Sequence, residues 1–350
     1  MAALNDKYKL VLETIKAYPA QLKQAWDEIN EMKLPKEFEN VENVVVCGMG
    51  GSALGARMID SLIIDKVKVP IEIINQYHIP FYANGNTLLI SSSYSGNTEE
   101  ALSCLNDALK AKAKIFGITT GGKLAERLKK DKIPGYIFDP RNNPSKQPRM
   151  AVGYSVGAIL AIFSKLGFIE ISEADIEGAI ETMREAIVSF DKSRSPKDNF
   201  AKTLAKKLEK RAPILVASEH LLGVAHTIKN QFNESAKTFC ALFDLPELNH
   251  HLMEGLQNPA RLKEVLHFVF LFSNLYGERV QARYPLTSEV VEKNGYEFSQ
   301  FTPKSSKKLN QVFETLVFGS FVGYYLSESY QIDPTAIPWV DYFKKKLSKS

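Results

Sequence analysis

Apolar residues fall along this chain in two alternating rhythms. Short aliphatic runs end in glycine, serine or threonine: "VENVVVCG" (41–48), "NTLLISSS" (86–93) and "AKIFGITT" (113–120), with "VPIEIINQ" (69–76) and "PGYIFDP" (134–140) beside them. Such runs, rich in β-branched residues and largely lacking polar alternation, predict parallel strands buried on both faces. Between them lie stretches with helical spacing. "TEEALSCLNDALKAK" (98–112) places Ala101, Leu102, Leu105, Ala108 and Leu109 on one stripe. Residues 4–33 also read as helical through Leu10, Ile15, Leu22, Trp26 and Ile29, with Pro19 expected to break or kink the helix. Residues 151–192 are mostly helical, and the polar, proline-containing "FDKSRSPKDN" (190–199) reads as a linker. The alternation then restarts with "RAPILVAS", a helix over "HLLGVAHTIKNQF" carrying Leu221, Ala225, Ile228 and Phe232, and strand candidates in "TFCALF" and "HFVFLFS". The last forty residues look helical, punctuated by Pro334 and Pro338. Strand–helix alternation of this kind predicts an α/β fold with two units, each a parallel sheet flanked by helices. The expected division is an N-terminal helical segment (1–34), a first α/β domain (35–190) and a second (200–350).

Length agrees with that division, because 350 residues exceed one comfortable hydrophobic core. The 45% apolar and 24% charged content is that of a soluble globular protein. No run approaches the roughly 20 unbroken apolar residues of a membrane helix. "MAALNDKYKL" lacks the basic-then-apolar pattern of a signal peptide, so a cytoplasmic protein is expected. The cysteines Cys47, Cys104 and Cys240 are far apart in apolar surroundings and read as buried free thiols. A net charge of +4 without any nucleic-acid motif suits an anionic small substrate and predicts no nucleic-acid partner.

Chemistry concentrates where the strand "NTLLI" meets the helix beginning near Thr98. In "SSSYSGNTEE" (91–100) the hydroxyls of Ser93, Ser95 and Thr98 can converge with backbone N–H groups on a phosphate, and Gly96 permits the tight turn. The competing reading is a simple Ser/Thr helix cap, which needs only one hydroxyl. A second turn, "CGMGGSALG" (47–55), places Gly50, Gly51 and Ser52 beside that cluster if the two strands are neighbours. It loosely fits a dinucleotide fingerprint, but Asn75 and Gln76 stand where a ribose-binding acid is wanted. No nicotinamide cofactor is expected. The pair His250–His251, with Glu247 or Glu254, lacks a third ligand at a persuasive spacing for a metal.

"GMGGSALG", "SSSYSGNTEE", "PRMAVGYSVG" and "NQFNESAKTFCALFDLPELNHH" together resemble the bifunctional phosphoglucose/phosphomannose isomerase family, within the sugar isomerase (SIS) domain superfamily. The resemblance runs from about residue 40 to 347. It implies two SIS-type domains, a homodimer, no metal or redox cofactor, and reversible interconversion of glucose 6-phosphate or mannose 6-phosphate with fructose 6-phosphate. Carried over by position, it implies that Ser52, Ser93, Ser95 and Thr98 hold the phosphate and that Gly50 and Gly51 line the sugar. It implies Arg149 as the active-site arginine, Glu234 as the base, His250 in ring opening, and Lys344 in "IPWVDYFK" as the C-terminal lysine. It also suggests that a histidine comes from the neighbouring chain. The chemistry is consistent with these types. Ring opening needs a proton donor and an acceptor, C2 deprotonation needs a carboxylate, and the cis-enediolate needs a fixed cation. Gly319-Ser320 departs from the Gly-Asp common in the family. The alternatives are a sugar-phosphate-sensing SIS protein without catalysis and an isomerase of another sugar phosphate. Sensors usually add a DNA-binding helix-turn-helix, for which the first forty residues are too short.

Overall fold

In the computed structural model, which describes residues 2–347, every aliphatic run singled out above contributes a strand. The N-terminal half contains α1 (Ala2–Lys16), α2 (Tyr18–Glu31), β1 (Asn43–Cys47), α3 (Gly51–Ile63), β2 (Ile71–Ile74), β3 (Thr87–Ser92), α4 (Glu99–Lys110), β4 (Lys114–Thr119), α5 (Gly122–Lys130), β5 (Gly135–Ile137), α6 (Val152–Lys165) and α7 (Glu173–Phe190). The C-terminal half contains α8 (Phe200–Leu208), β6 (Ala212–Ala217), α9 (Leu222–Glu234), β7 (Ala241–Asp244), the single turns α10 (Leu252–Gly255) and α11 (Leu262–Val265), β8 (Leu266–Leu271), α12 (Glu278–Lys293), β9 (Glu297–Phe301), α13 (Lys308–Ser329) and α14 (Pro338–Leu347).

The strands form two all-parallel sheets, ordered β2-β1-β3-β4-β5 and β7-β6-β8-β9. Leu88, Leu89 and Ile90 are consecutive and fully buried, so helices cover both faces of the first sheet. One continuous apolar core includes residues of α3, α6, α9 and α13 and joins the two sheets. α13 is buried along nearly its whole length.

Pro19 acts as expected. α1 ends at Lys16, and α2 begins at Tyr18 with the proline in its first turn, where a missing N–H costs little. The α4 stripe differs in one position. Ala101, Cys104, Leu105 and Ala108 are buried, whereas Leu109 is 39% exposed. Cys104 replaces Leu109 on the inward face because the helix turns its buried side toward β1 and β3, and a small thiol fits there. All three cysteines are free and buried.

In each sheet the chain leaves a central strand, adds an outer strand on one side, then crosses to the other side. That reversal opens a crevice at the carboxyl ends of β1 and β3 in the first sheet and of β6 and β8 in the second. Cys47 pairs in register with Ser91, so the turn after β1 and the serine-rich turn after β3 emerge side by side.

Candidate active site

The turn after β3 is shaped by its glycine. Gly96 has φ +69°, and a Cβ there would lie 1.8 Å from the Gly121 carbonyl oxygen. The Ser93 and Thr98 hydroxyls face each other at 2.8 Å. Thr98 is the residue before α4, yet its side chain makes no capping bond to the helix. Its hydroxyl is turned toward Ser93, so a simple cap does not describe the cluster. The first-turn N–H groups of α4 keep their positive end for an anion. α3 also begins without a side-chain cap, at Gly50, whose missing Cβ points into open space. Ser52 ties the two turns together by accepting from the Tyr94 N–H at 2.8 Å. Ser95 is exposed at the mouth of the cradle.

Gly51 connects the cradle to Arg149. A Cβ on Gly51 would come within 2.6 Å of the Pro148 carbonyl carbon and 2.7 Å of the Arg149 nitrogen. Only a residue without a side chain lets the start of α3 touch the short turn Pro148–Met150. A small cavity of about 20 Å³ lies at this junction, lined by Gly51, Ser52, Ser92, Tyr94 and Pro148 among others.

Arg149 is 1% exposed. Its Nε donates to Ser235 Oγ at 2.8 Å and Nη1 to Gln147 Oε1 at 3.0 Å. Nη2 donates to the Pro334 and Thr335 carbonyls at 2.7 and 3.1 Å. Nη1 also reaches Glu234 Oε2, but at 3.4 Å, longer than the roughly 2.7–2.9 Å of a tight charge-assisted bond. The guanidinium is therefore held mainly by neutral acceptors and is only loosely neutralised by Glu234. Burial pulls it down from its ordinary value while Glu234 and Asp333 oppose that. An arginine stays cationic under such a pull. Beneath it, Gln231, one turn before Glu234 on α9, donates to the Arg149 carbonyl at 3.2 Å and to Tyr18 at 3.1 Å. Ser320, the departure from the family pattern, donates to Gln231 at 2.8 Å.

The structure thus brings Gly50, Gly51, Ser52, Ser93, Ser95, Thr98, Arg149 and Glu234 into one contiguous region. It does not bring His250 or Lys344 there within one chain. His250 is exposed on the turn Glu247–His250, and Lys344 is exposed on α14. Among the described residues neither makes a hydrogen bond or ion pair with the cradle, Arg149 or Glu234. Several contributors were not singled out from sequence. Gln147, Ser235 and the carbonyls of 334–335 serve Arg149, whereas Asn75, noted above only for standing where a ribose-binding acid is wanted, donates to the Gly48 carbonyl and receives Arg57. Only Ser235 carried a usable signal, its place directly after Glu234.

A larger cavity of about 630 Å³ lies elsewhere, between α7, the linker and the loop after β9, and contains none of these residues. Its lining sets Glu185, Asp198 and Glu314 against Arg194 and Lys304, a mixed rim that does not suit a dianion. Among the described residues no three His, Cys, Asp or Glu side chains are grouped to hold a metal. No helix among them is long and apolar enough to cross a membrane.

Against known proteins, residues 197–347 match the family model of the bacterial phospho-glucose isomerase C-terminal SIS domain. A bifunctional phosphoglucose/phosphomannose isomerase of Caldicellulosiruptor bescii is 32% identical over 97% of this chain and 99% of its own length. The chain belongs to the bifunctional phosphoglucose/phosphomannose isomerase family. The like-named protein of Thermoplasma acidophilum is 32% identical over 87% of this chain and 90% of its own. A solved structure of a hypothetical protein from Thermus thermophilus superposes with a TM-score of 0.76 at 15% identity, covering 99% of this chain and 94% of that one. That likeness establishes the shared fold.

Proposed function

We infer that this protein catalyses reversible aldose–ketose isomerisation, converting glucose 6-phosphate and mannose 6-phosphate to and from fructose 6-phosphate. One observation carries the reading. The uncapped start of α4, with Ser93 and Thr98 turned toward each other, is joined through Gly51 to a buried guanidinium that faces a carboxylate. The proposed units are the SIS-type domains 35–190 and 200–350, with 1–34 as a helical appendage.

The phosphate sits on Ser52, Ser93, Ser95 and Thr98 with the α4 N-terminus. The sugar lies over Gly50 and Gly51 toward Glu234. Once the ring is open, Glu234 takes the C2 proton of the aldose. The electron pair left behind forms the C1–C2 double bond, and the C1 oxygen gains a proton, giving the cis-enediol. Arg149 stabilises the negative charge on these oxygens during the transfer. Glu234 returns its proton to C1 and the O2 hydroxyl loses its own, giving the ketose. Every proton removed is replaced, and no redox partner is needed. Ring opening is assigned to His250 and Lys344. Because both stand apart from the cradle in one chain, we assign a homodimer in which the neighbouring chain lends a histidine.

A coupled assay of fructose 6-phosphate to glucose 6-phosphate, run beside one with mannose 6-phosphate, tests the activity. Glu234→Gln should lower kcat by at least about 100-fold, since a positioned base contributes roughly 10²–10⁴. Substrate binding in the cradle should persist. Full turnover by Glu234→Gln would remove the mechanism even where the assay is positive.

A further inference from the structure

The Lys237 side chain takes no part in these steps, yet it touches both halves of the catalytic pair's support. Its Nζ donates to the Glu234 carbonyl oxygen at 2.7 Å and to the Asp333 carbonyl oxygen at 3.0 Å. The first belongs to the last turn of α9, which carries the Glu234 carboxylate. The second opens the segment Asp333–Thr335, whose next two carbonyls hold Arg149 Nη2. That segment is wound on the Asp333 carboxylate, which accepts from the Thr335 N–H and hydroxyl at 2.7 and 2.6 Å. Lys237 is an exposed residue whose ammonium bridges two backbone carbonyls. Residues 234 and 333 are 99 positions apart in sequence, so this is a long-range tie and not a local helix end.

We propose that Lys237 is a positioning residue for the isomerisation: its ammonium ties the end of α9 to the Asp333–Thr335 turn and so fixes how the Glu234 carboxylate meets the Arg149 guanidinium. The inference rests on the reading of Glu234 as base and Arg149 as the enediolate's partner. The loose 3.4 Å approach of Glu234 to Arg149 makes such a tie consequential. A carboxylate not locked by its own bond takes its position from the backbone beneath it. A displacement of about 1 Å at a reacting group is enough to cost roughly 100-fold in rate.

Titration should report the same tie. The charged groups facing the ammonium are Arg149 from the turn before α6, Glu234 from α9 and Asp333 from its own turn. Burial lowers Lys237 to about 8; Arg149 adds to the fall, and Asp333 and Glu234 oppose it. Below that pH the charged amine holds both carbonyls. Above it the charge is lost and the bonds weaken.

The test uses the full chain in the fructose 6-phosphate assay with Lys237→Met, which keeps the stem, and Lys237→Arg, which keeps donors and charge. Lys237→Met should lower kcat by about 10–100-fold with KM within about threefold, the signature of an interaction needed in the transition state. Lys237→Arg should recover most of that loss. The wild-type kcat should fall on the alkaline side near pH 8, and that limb should move upward in Lys237→Arg because a guanidinium stays charged. If Lys237→Met does not fold, Lys237→Gln replaces it under the same criteria. Wild-type kcat in the Met or Gln variant overturns the proposal, as does a raised KM with kcat unchanged. Equal impairment of the Arg and Met variants with an unmoved alkaline limb reduces Lys237 to a structural residue and overturns it too. An inactive Glu234→Gln beside an unaffected Lys237→Met removes this inference alone, whereas a fully active Glu234→Gln removes the reading beneath it.

Discussion

Burying a guanidinium is unfavourable unless its N–H groups find acceptors and its charge finds a use. Arg149 meets the first condition with Ser235, Gln147 and two backbone carbonyls from the far end of the chain. The second is met by the Glu234 carboxylate, whose Oε2 lies 3.4 Å from Nη1. A lysine presents three donors from a single nitrogen and cannot span acceptors placed around a planar fork. Arg149→Lys is therefore expected to lower kcat by at least about 100-fold, the scale of losing one fixed donor to a developing anion. It should also destabilise the fold by about 1–3 kcal/mol, the scale of leaving buried acceptors unpaired. Steady-state kinetics and urea unfolding read the two effects separately, and a variant with unchanged kcat would take Arg149 out of the reaction. The contrast with the cradle explains what the sequence could disclose at this scale. Ser93 and Thr98 lie within six residues, so the approach of their hydroxyls is local and legible. The acceptors of Arg149 are long-range, two of them are backbone groups, and no side-chain pattern announces a carbonyl.

At the scale of an element, β8 carries a histidine whose environment suits only the neutral ring. His267 is 1% exposed, its Nε2 lies 3.0 Å from the Ser299 hydroxyl, and its Nδ1 is buried without a hydrogen bond, 3.8 Å from a Glu297 carboxylate oxygen. Burial lowers it to about 4; Lys207 and Arg211 contribute, and Glu297, its register partner on β9, opposes. His226 on α9 is likewise lowered to about 4, by burial first and then by Lys229 and Arg57. The unfolded chain binds these protons near the ordinary value of 6.5, whereas the folded chain resists them until about 4. Their contribution is thus fully present above 6.5 and drains away as the pH falls toward 4. Thermal melts should show a falling melting temperature across that window, and His267→Gln should flatten the slope. An unchanged slope in that variant would locate the acid sensitivity elsewhere. The strands were readable because parallel sheets covered on both faces demand unbroken apolar runs. The α4 stripe was read one position wrong because Cys104 and Leu109 both satisfy the helical period. The choice between them depends on what the neighbouring strands leave room for.

At the scale of the whole molecule, two sheets of like order each open a crevice, yet their carboxyl ends are furnished differently. In the second sheet the space beyond β6 and β8 is occupied by the chain's own groups. Tyr276 and Tyr284 are fully buried there and both reach the Leu271 carbonyl, and Glu219 accepts from the Gly277 N–H at the start of α12. A carboxylate already stands where an incoming anion would meet that helix. Glu234, at the end of α9, instead approaches Arg149 at 3.4 Å, and α3 and α9 contribute to one apolar core. α14 is the exception to this economy. It forms as the sequence suggested, but none of its residues is buried, and Trp339, Tyr342 and Phe343 are 81%, 58% and 61% exposed. Removing 338–350 leaves in place the Pro334 and Thr335 carbonyls that hold Arg149. The shortened chain should therefore melt close to the full one, since exposed segments contribute within about 0.5 kcal/mol per substitution. If Lys344 acts in ring opening, the same deletion should abolish turnover, and Lys344→Met in the full chain should reproduce most of the loss. Light scattering on both proteins separates the two ways α14 can matter. Lost activity with unchanged mass assigns the effect to the lysine. Lost activity with halved mass assigns it to an interface formed by the exposed aromatics. Full activity in the shortened chain excludes Lys344 from the mechanism, leaving the carboxylate, the guanidinium and the histidine to open the ring.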